Sequence, residues 1–316
     1  MSLPTGKDVQ AVDPVLTNML VAYYQSQDRF VADRAFPGVP VDKDSGTYYT
    51  FDKKYFMTDE MEERAYGAQY ARAGFGVSST TYTTIQYALS KPIADEEEAN
   101  SQLPMTLEQA AIRFLGLKAL IKKEREWASD FMKTSVWDTD DNNSTTDWDD
   151  YSGSDPVGDV RTAKRTISQS TGYTPNVMVM GEIVEDALVN HPDLIDRIKY
   201  TQMATSGSVR GAMAALFGLE EILVGMAIYN SANEGQSASM GAIIDDDALV
   251  MYRNNSPSIF EPSAGYTFHW APGGGLGGIM PLVREAANDS DLIRLKMQWD
   301  QKAVCTDVGY FFADVV

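Results

Sequence analysis

The stretch from Thr106 to Lys133 constrains this chain more than any other. Leu107, Ala110, Phe114, Leu117, Ile121, Ala128 and Phe131 follow three-and-four spacing, broken only at Glu124, which predicts one long amphipathic helix. Thr106, with Gln109 three residues on, has the capping-box pattern that starts such a helix. At 1.5 Å per residue it spans about 40 Å. A helix of that length with one apolar stripe has to lie across a sheet or another helix. Arg113, Lys118, Lys122, Lys123, Arg125 and Lys133 fall to its opposite face on this reading.

The chain before it divides in two. Residues 1–13 are polar and read as an irregular arm. Asp13 as N-cap and Pro14 at the first helical position predict a helix carrying Val15, Leu16, Met19, Leu20 and Tyr23, fading by about Ala32. Pro37-Gly38-Val39-Pro40 then breaks the chain. Residues 46–51 and 82–89 are rich in aromatic and β-branched side chains and predict strands. Between them lie about 25 charged, Gly-punctuated residues, an excursion too long for a compact hairpin turn. It has little core of its own, so it is expected to find a partner surface on another molecule.

Beyond the helix, residues 135–160 carry eight aspartates and no Lys or Arg, which predicts a solvated acidic loop. Helices are then predicted at 159–169, about 183–189 (stopped by His191-Pro192) and 208–217. Strands are predicted at 177–180, 222–224, 242–244 and 249–252. The last sixty residues read as strands at 265–270, 279–284, 292–299 and 308–313, with Gly273–Gly278 as a flexible connection. The whole is α+β, with a mixed α/β portion around 155–255.

The search for chemistry finds little. The 316 residues hold 26 basic and 45 acidic side chains, a formal charge of −19, which argues against a dedicated nucleic-acid binder. No apolar run approaches the roughly 18 residues of a membrane span. Residues 1–7 lack the apolar stretch of a secretory signal, so synthesis in a reducing compartment is expected. The single cysteine, Cys305, excludes a disulfide framework and multi-thiolate metal sites, and reads as a small packed hydrophobe. His191, before a proline at a helix end, reads as solvent-exposed or C-capping, and His269 lies in a strand. Neither has metal-ligand spacing. No Gly-x-Ser-x-Gly elbow occurs, and Gly273–Gly278 lacks the Lys-Ser/Thr of a phosphate loop. Asp138-Thr139-Asp140-Asp141-Asn142-Asn143-Ser144 has the alternating oxygens of a calcium loop. It has no Gly at the sixth position, and Asp149 stands where Glu is needed. No catalytic residue, cofactor or metal is assigned.

The order of segments, with several local phrases, resembles the major capsid proteins of tailed bacteriophages that have the Hong Kong 97-type fold. The phrases are Thr171-Gly172-Tyr173-Thr174-Pro175-Asn176-Val177-Met178-Val179-Met180, His191-Pro192-Asp193-Leu194-Ile195-Asp196-Arg197-Ile198-Lys199-Tyr200 and Leu216-Phe217-Gly218-Leu219-Glu220-Glu221-Ile222-Leu223-Val224-Gly225. The resemblance implies an N-arm (1–42) and an extended E-loop hairpin (43–91) lying over a neighbouring subunit. It implies a P domain (92–137 plus 257–302) whose sheet carries the spine helix (106–133), and an A domain (138–256 plus 303–316). Tyr55, Phe56, Met57, Met61, Tyr66, Tyr70 and Phe75 are then the expected intersubunit contacts.

The implied function is structural. Copies would form hexamers and pentamers of an icosahedral shell around double-stranded DNA, held non-specifically, in a virion assembled in the bacterial host cytoplasm. Scaffold, portal and decoration proteins would be further partners, and no membrane is involved. Asp138–Asp150 is expected to face outward and the basic helix face inward. Some relatives cross-link through a Lys–Asn isopeptide bond assisted by a buried Glu. Lys53 or Lys54, with Asn288 near Glu285, are the candidates here, against ordinary polar surface. Two other readings are an encapsulin-like nanocompartment shell and an acidic soluble enzyme.

Overall fold

The computed structural model describes residues 14–25, 27–50, 53–74, 76, 78–100, 106–141, 147–199, 209–258 and 261–316. The arm expected over 1–13 lies outside them. Pro14 opens α1 (Pro14–Gln25), whose Leu20 is fully buried and whose Thr17 hydroxyl accepts from the Ile279 N–H at 3.2 Å. The helix stops at Gln25, short of the expected Ala32. Further on, the Val31 and Ala32 N–H groups donate to the Glu124 carboxylate, and a separate turn, α2 (Ala32–Ala35), begins there. The stretch around Pro37 and Pro40 is not merely a break. It forms β1 (Gly38–Val41), pairing parallel to a later strand.

The excursion also differs in its boundaries. β2 (Ser45–Thr50) pairs antiparallel with β3 (Ser78–Thr83), from Ser45↔Thr83 to Thr50↔Ser78, with the short helix α3 (Lys53–Phe56) following β2. The expected single strand 82–89 is really the end of β3 and the start of β4 (Ile85–Ala94), split at Thr84. Thr84 donates its N–H and its hydroxyl to the Asp44 carbonyl, both at 2.8 Å, and its hydroxyl accepts from Gln298 Nε2 at 3.0 Å. The ribbon therefore leaves the body at that residue. α4 (Asp95–Ala99) follows β4.

The long helix is α5 (Leu107–Phe131), its N-terminus capped by the Thr106 side chain accepting from Gln109 N–H at 3.4 Å. Two charged residues depart from the expected pattern. Glu124 is buried, and Lys123, assigned to the polar face, is only 3% exposed. Lys123 Nζ reaches Asp33 Oδ1 at 2.7 Å and sits 5.8 Å over the Trp299 ring. The acidic segment is not wholly a loop either. β5 (Thr139–Asp141) joins a sheet, and Trp137 and Trp148 are buried, the latter donating from Nε1 to Asp159 Oδ2 at 3.0 Å. Asn142, Asn143 and Ser144 of the calcium-like stretch lie outside the described residues.

α6 (Pro156–Thr171) starts earlier and ends later than its sequence pattern suggests. Asp155 caps it by accepting from Gly158 N–H at 3.0 Å, Pro156 takes the first turn, and Gly172 at φ 78° closes it in the left-handed region. β6 (Val177–Gly181) and α7 (Glu182–Asn190) follow. The chain does not simply stop at Pro192. That proline begins another helix, α8 (Pro192–Lys199), then come α9 (Val209–Phe217), β7 (Glu221–Gly225), β8 (Ile228–Asn230), β9 (Met240–Ala242) and β10 (Ala248–Met251). Ile243 and Ile244, expected within a strand, fall just after β9. The last third supplies β11 (Gly265–Trp270), β12 (Gly278–Glu285), β13 (Ser290–Ala303) and β14 (Gly309–Phe312). Gly273–Gly278 is no flexible connection. Gly273–Gly275 are buried, and Gly274 and Gly275 take positive φ (103° and 56°), which only glycine adopts without strain. A Cβ on Gly274 would meet the Lys296 carbonyl at 2.4 Å.

Among the described residues these strands make two five-stranded sheets, beside the two-stranded pairs β2–β3 and β8–β9. In one, β13 is central, with β4 antiparallel along one side, β12 and β11 sharing the other, and β1 outside β11. α5 and α1 cover it, and their core holds Leu20, Ile112, Leu115, Ile279, Ile293 and Leu295. The other sheet runs β5-β14-β10-β6-β7. Every residue of β6, β10 and β14 is buried, as expected of strands covered on both faces. Trp127 and Phe131, near the end of α5, belong to this second core together with Phe36, whose ring meets Trp127 edge-on at 5.7 Å.

Candidate functional site

The ribbon β2–β3 is rooted by aromatic rings. Tyr82 stacks on Phe268 at 4.9 Å, and Tyr48 lies 5.1 Å from the same ring on its way out. Gly46 is needed there because a Cβ would meet the Tyr82 hydroxyl at 2.6 Å. Past the strands, Lys53 Nζ pairs with Asp307 Oδ1 at 2.9 Å, which raises the Lys53 pKa, and the Met57 methyl lies beside Gly172. Burial and a hydrogen bond shared with Asp307 raise the neighbouring Asp138 carboxyl. The segment just past the far end of the β2–β3 pair is thus tied to the second sheet's side of the molecule.

From Thr58 to Gly74 the chain has no helix or strand. Met61 is 93% exposed, Tyr66 fully so, and Met57 and Tyr70 are mostly exposed. Tyr70 has one neighbour of note, the Arg64 guanidinium 4.1 Å over its ring, an arrangement held by Arg64 Nε donating to the Ala68 carbonyl at 2.7 Å. Of the seven residues singled out in sequence, these four share one projecting strip and none is packed into a core. Phe75 lies outside the described residues, as do the side chains of Tyr55 and Phe56, whose backbone belongs to α3.

Elsewhere the chemistry is that of structural side chains. Ser154 Oγ and His191 Nε2 are 3.0 Å apart, a spacing that suits a nucleophile and its base. The protons run the wrong way for that. His191 Nδ1 accepts from the Asp193 N–H at 3.3 Å, so Nε2 carries the ring proton toward Ser154, whose hydroxyl donates to the Asp150 carbonyl at 2.9 Å. His191 is 1% exposed, so the solvent-exposed alternative fails; its backbone position is the C-cap of α7. Cys305 is buried as expected, and burial pushes its thiol up to about 11, leaving little thiolate. Burial lowers the His269 pKa. Among the described residues no cluster of three or more His, Cys, Asp or Glu is placed to hold a metal. In the single subunit Glu285 is half-exposed and Asn288 exposed.

Glu124 is the residue that sequence reasoning undervalued. Its oxygens accept from Val31 N–H at 3.0–3.1 Å and from Ala32 N–H at 2.8 Å, fastening α2 to α5. Burial outweighs those bonds and pushes the carboxyl up to about 7. The signal was present as the single interruption in the apolar spacing of α5.

Residues 72–262 match the family described as phage major capsid protein E. The major capsid protein of Burkholderia phage BcepMu is 30% identical over 264 residues, covering 82% of this chain and 83% of that protein. The chain belongs to the phage major capsid protein E family. Its role is the structural one of a capsid shell component. A solved phage-related protein from Bordetella bronchiseptica RB50 is similar at TM-score 0.75 and 25% identity, covering 96% of this chain and 97% of that one. The capsid of cyanophage P-SCSP1u gives a TM-score of 0.54 at 14% identity, with coverages of 88% and 86%, a likeness of fold alone. The α+β architecture is the Hong Kong 97-type capsid fold expected from the sequence, and family membership favours a phage shell over a nanocompartment or an acidic enzyme.

Proposed function

We infer that copies of this chain assemble as hexamers and pentamers into a closed icosahedral shell that encloses double-stranded DNA without sequence readout. The observation that carries this is the exposure of Met57, Met61, Tyr66 and Tyr70 in a charged segment that follows a ribbon rooted by Tyr82 and Phe268. Such side chains gain their burial from a neighbour, and a subunit tied to several neighbours holds by many modest contacts acting together. Met57, Met61, Tyr66 and Tyr70, with Tyr55, Phe56 and Phe75, are the proposed intersubunit contacts. The chain divides as an N-arm (1–42), E-loop (43–91), P domain (92–137 plus 257–302) and A domain (138–256 plus 303–316), with boundaries blurred where β1 and β4 join the P sheet.

The shell is a virion component built in the bacterial host cytoplasm. Scaffold and portal proteins assist it, with decoration proteins on the outside, and the subunit performs no catalysis. The acidic segment Asp138–Asp150 faces outward, and the basic face of α5, apart from the buried Lys123, faces inward. Negative-stain microscopy and light scattering of the purified protein test the reading. Closed particles of megadalton mass are expected, whereas a stable monomer at high concentration overturns it.

A further inference from the structure

Residues 28–41 lie as a strap across the seam between the two large sheets. On one side β1 pairs parallel with β11 of the first sheet, from Gly38↔Thr267 to Val41↔Trp270, and the Thr267 hydroxyl donates to the Phe36 carbonyl at 3.1 Å. On the other side Arg34 pairs with Glu221 at the start of β7 in the second sheet, while Arg253 Nη1 donates to the Arg34 carbonyl at 2.5 Å. Phe36 is the apolar plug: its ring lies 4.6 Å from that of Phe131, and a Cβ on Gly265 would meet its Cε2 at 2.3 Å. Yet α2 and β1 are four residues each, and β1 has a strand on one side alone. Pieces that short hold by what they touch rather than by their own hydrogen bonds.

What α2 touches is charged and out of water. Glu124 and Lys123 are both buried; the first accepts from the Val31 and Ala32 N–H groups, and the second donates to Asp33 at 2.7 Å. The other titratable groups around this joint are His269 on β11, which faces Asp33 and Lys123, and Tyr24 on α1, which faces Asp33 and is kept neutral by burial. With the Glu124 carboxyl protonated, Lys123 and Asp33 balance each other. Once it ionises, the joint holds one negative charge in excess where there is little water, and opening the strap hydrates it. We propose that the strap 28–41 opens as a unit while both sheets stay folded, and that ionisation of Glu124 favours the open form. The shut strap keeps the Glu124 proton up to a pH of about 7 and the open strap only to an ordinary 4.5, so opening releases a proton and gains as pH rises through that window. His269, opposite Pro40 in the β1–β11 register, acts in the other sense, because its buried neutral ring takes up a proton more readily once the strap is open.

Amide hydrogen exchange of the full-length soluble protein tests this, followed by peptide from about pH 5 to 8 and corrected for the intrinsic pH dependence of exchange. Amides of the strap and of its partners on β11 should exchange ahead of those of β6 and β10, whose residues are all buried. The ratio of opening constants between wild type and Glu124→Gln isolates the carboxyl, since His269 contributes to both alike. That ratio should rise by nearly tenfold per pH unit and level off at about 7. Asp33→Asn is the second probe. Removing the neighbouring negative charge eases the ionisation of Glu124, so the levelling should move to lower pH, a change that mere loss of an ion pair does not produce. Strap amides that exchange only together with β6 and β10, or a ratio that stays flat with pH, overturn the proposal. Should Glu124→Gln not fold, a levelling point left in place by Asp33→Asn overturns it by itself.

Discussion

β6 and β3 are both paired strands, yet they live under different rules. Every residue of β6 is buried and both of its neighbours are strands, whereas β3 buries only Tyr82 and pairs with β2 alone. β6 carries two hydrogen-bonded ladders where β3 has one. The two differ further in the apolar area removed from water, and a two-stranded ribbon without a covered face is marginal by itself. The comparison teaches that the molecule keeps its stability in the sheets, while the ribbon's exposed side chains add little to the subunit itself.

The sharpest way to break that contrast is to cut into the buried sheet. Phe311→Ala, on β14 between β5 and β10, should cost about 3–5 kcal/mol, read from urea unfolding of the soluble subunit. Next in size is a pH effect at Glu124. Its carboxyl ionises at about 7 in the folded chain against an ordinary 4.5, so between those values the folded state keeps a proton that the unfolded state has released. Stability therefore falls as pH rises through that window, by at most roughly 3 kcal/mol, and is flat beyond it. Glu124→Gln should flatten the slope, checked by denaturant midpoints from pH 4.5 to 8.

Smaller still is the ribbon's root. Gly46→Val forces the Tyr82 ring off Phe268 and should cost about 1–2 kcal/mol, visible as a lowered melting temperature. Smallest for the subunit, and largest for the assembly, is Tyr66→Ala. It should leave the unfolding midpoint of the soluble protein unchanged while reducing particle yield by light scattering. A clear loss of subunit stability in that variant would erase the distinction between the two regions.

Where local chemistry decides structure, the sequence was a sufficient guide. The Thr106 cap and the spacing of Leu107 to Phe131 fixed α5 to within a residue or two, and the apolar run 177–180 marked β6. The readings that failed depend on distant partners. The break at Thr84 comes from Gln298, more than two hundred residues away, and β5 exists because β14 lies beside an acidic segment that otherwise reads as loop. Lys123 read as a surface charge and Glu124 as an interruption of the apolar stripe because nothing nearby in the chain reveals Asp33 or the Val31 and Ala32 amides. The strip itself was legible as apolar side chains lacking any period, which no core could collect.

One helix serves two cores: the first half of α5 closes over the β13 sheet, and its last two turns, through Trp127 and Phe131, enter the other. It acts as a beam, and the two halves of the subunit cannot pivot about each other without sliding a buried tryptophan. In the proposed shell, neighbours at five-fold and six-fold positions differ in tilt, and that difference falls to the contacts between copies rather than to the body.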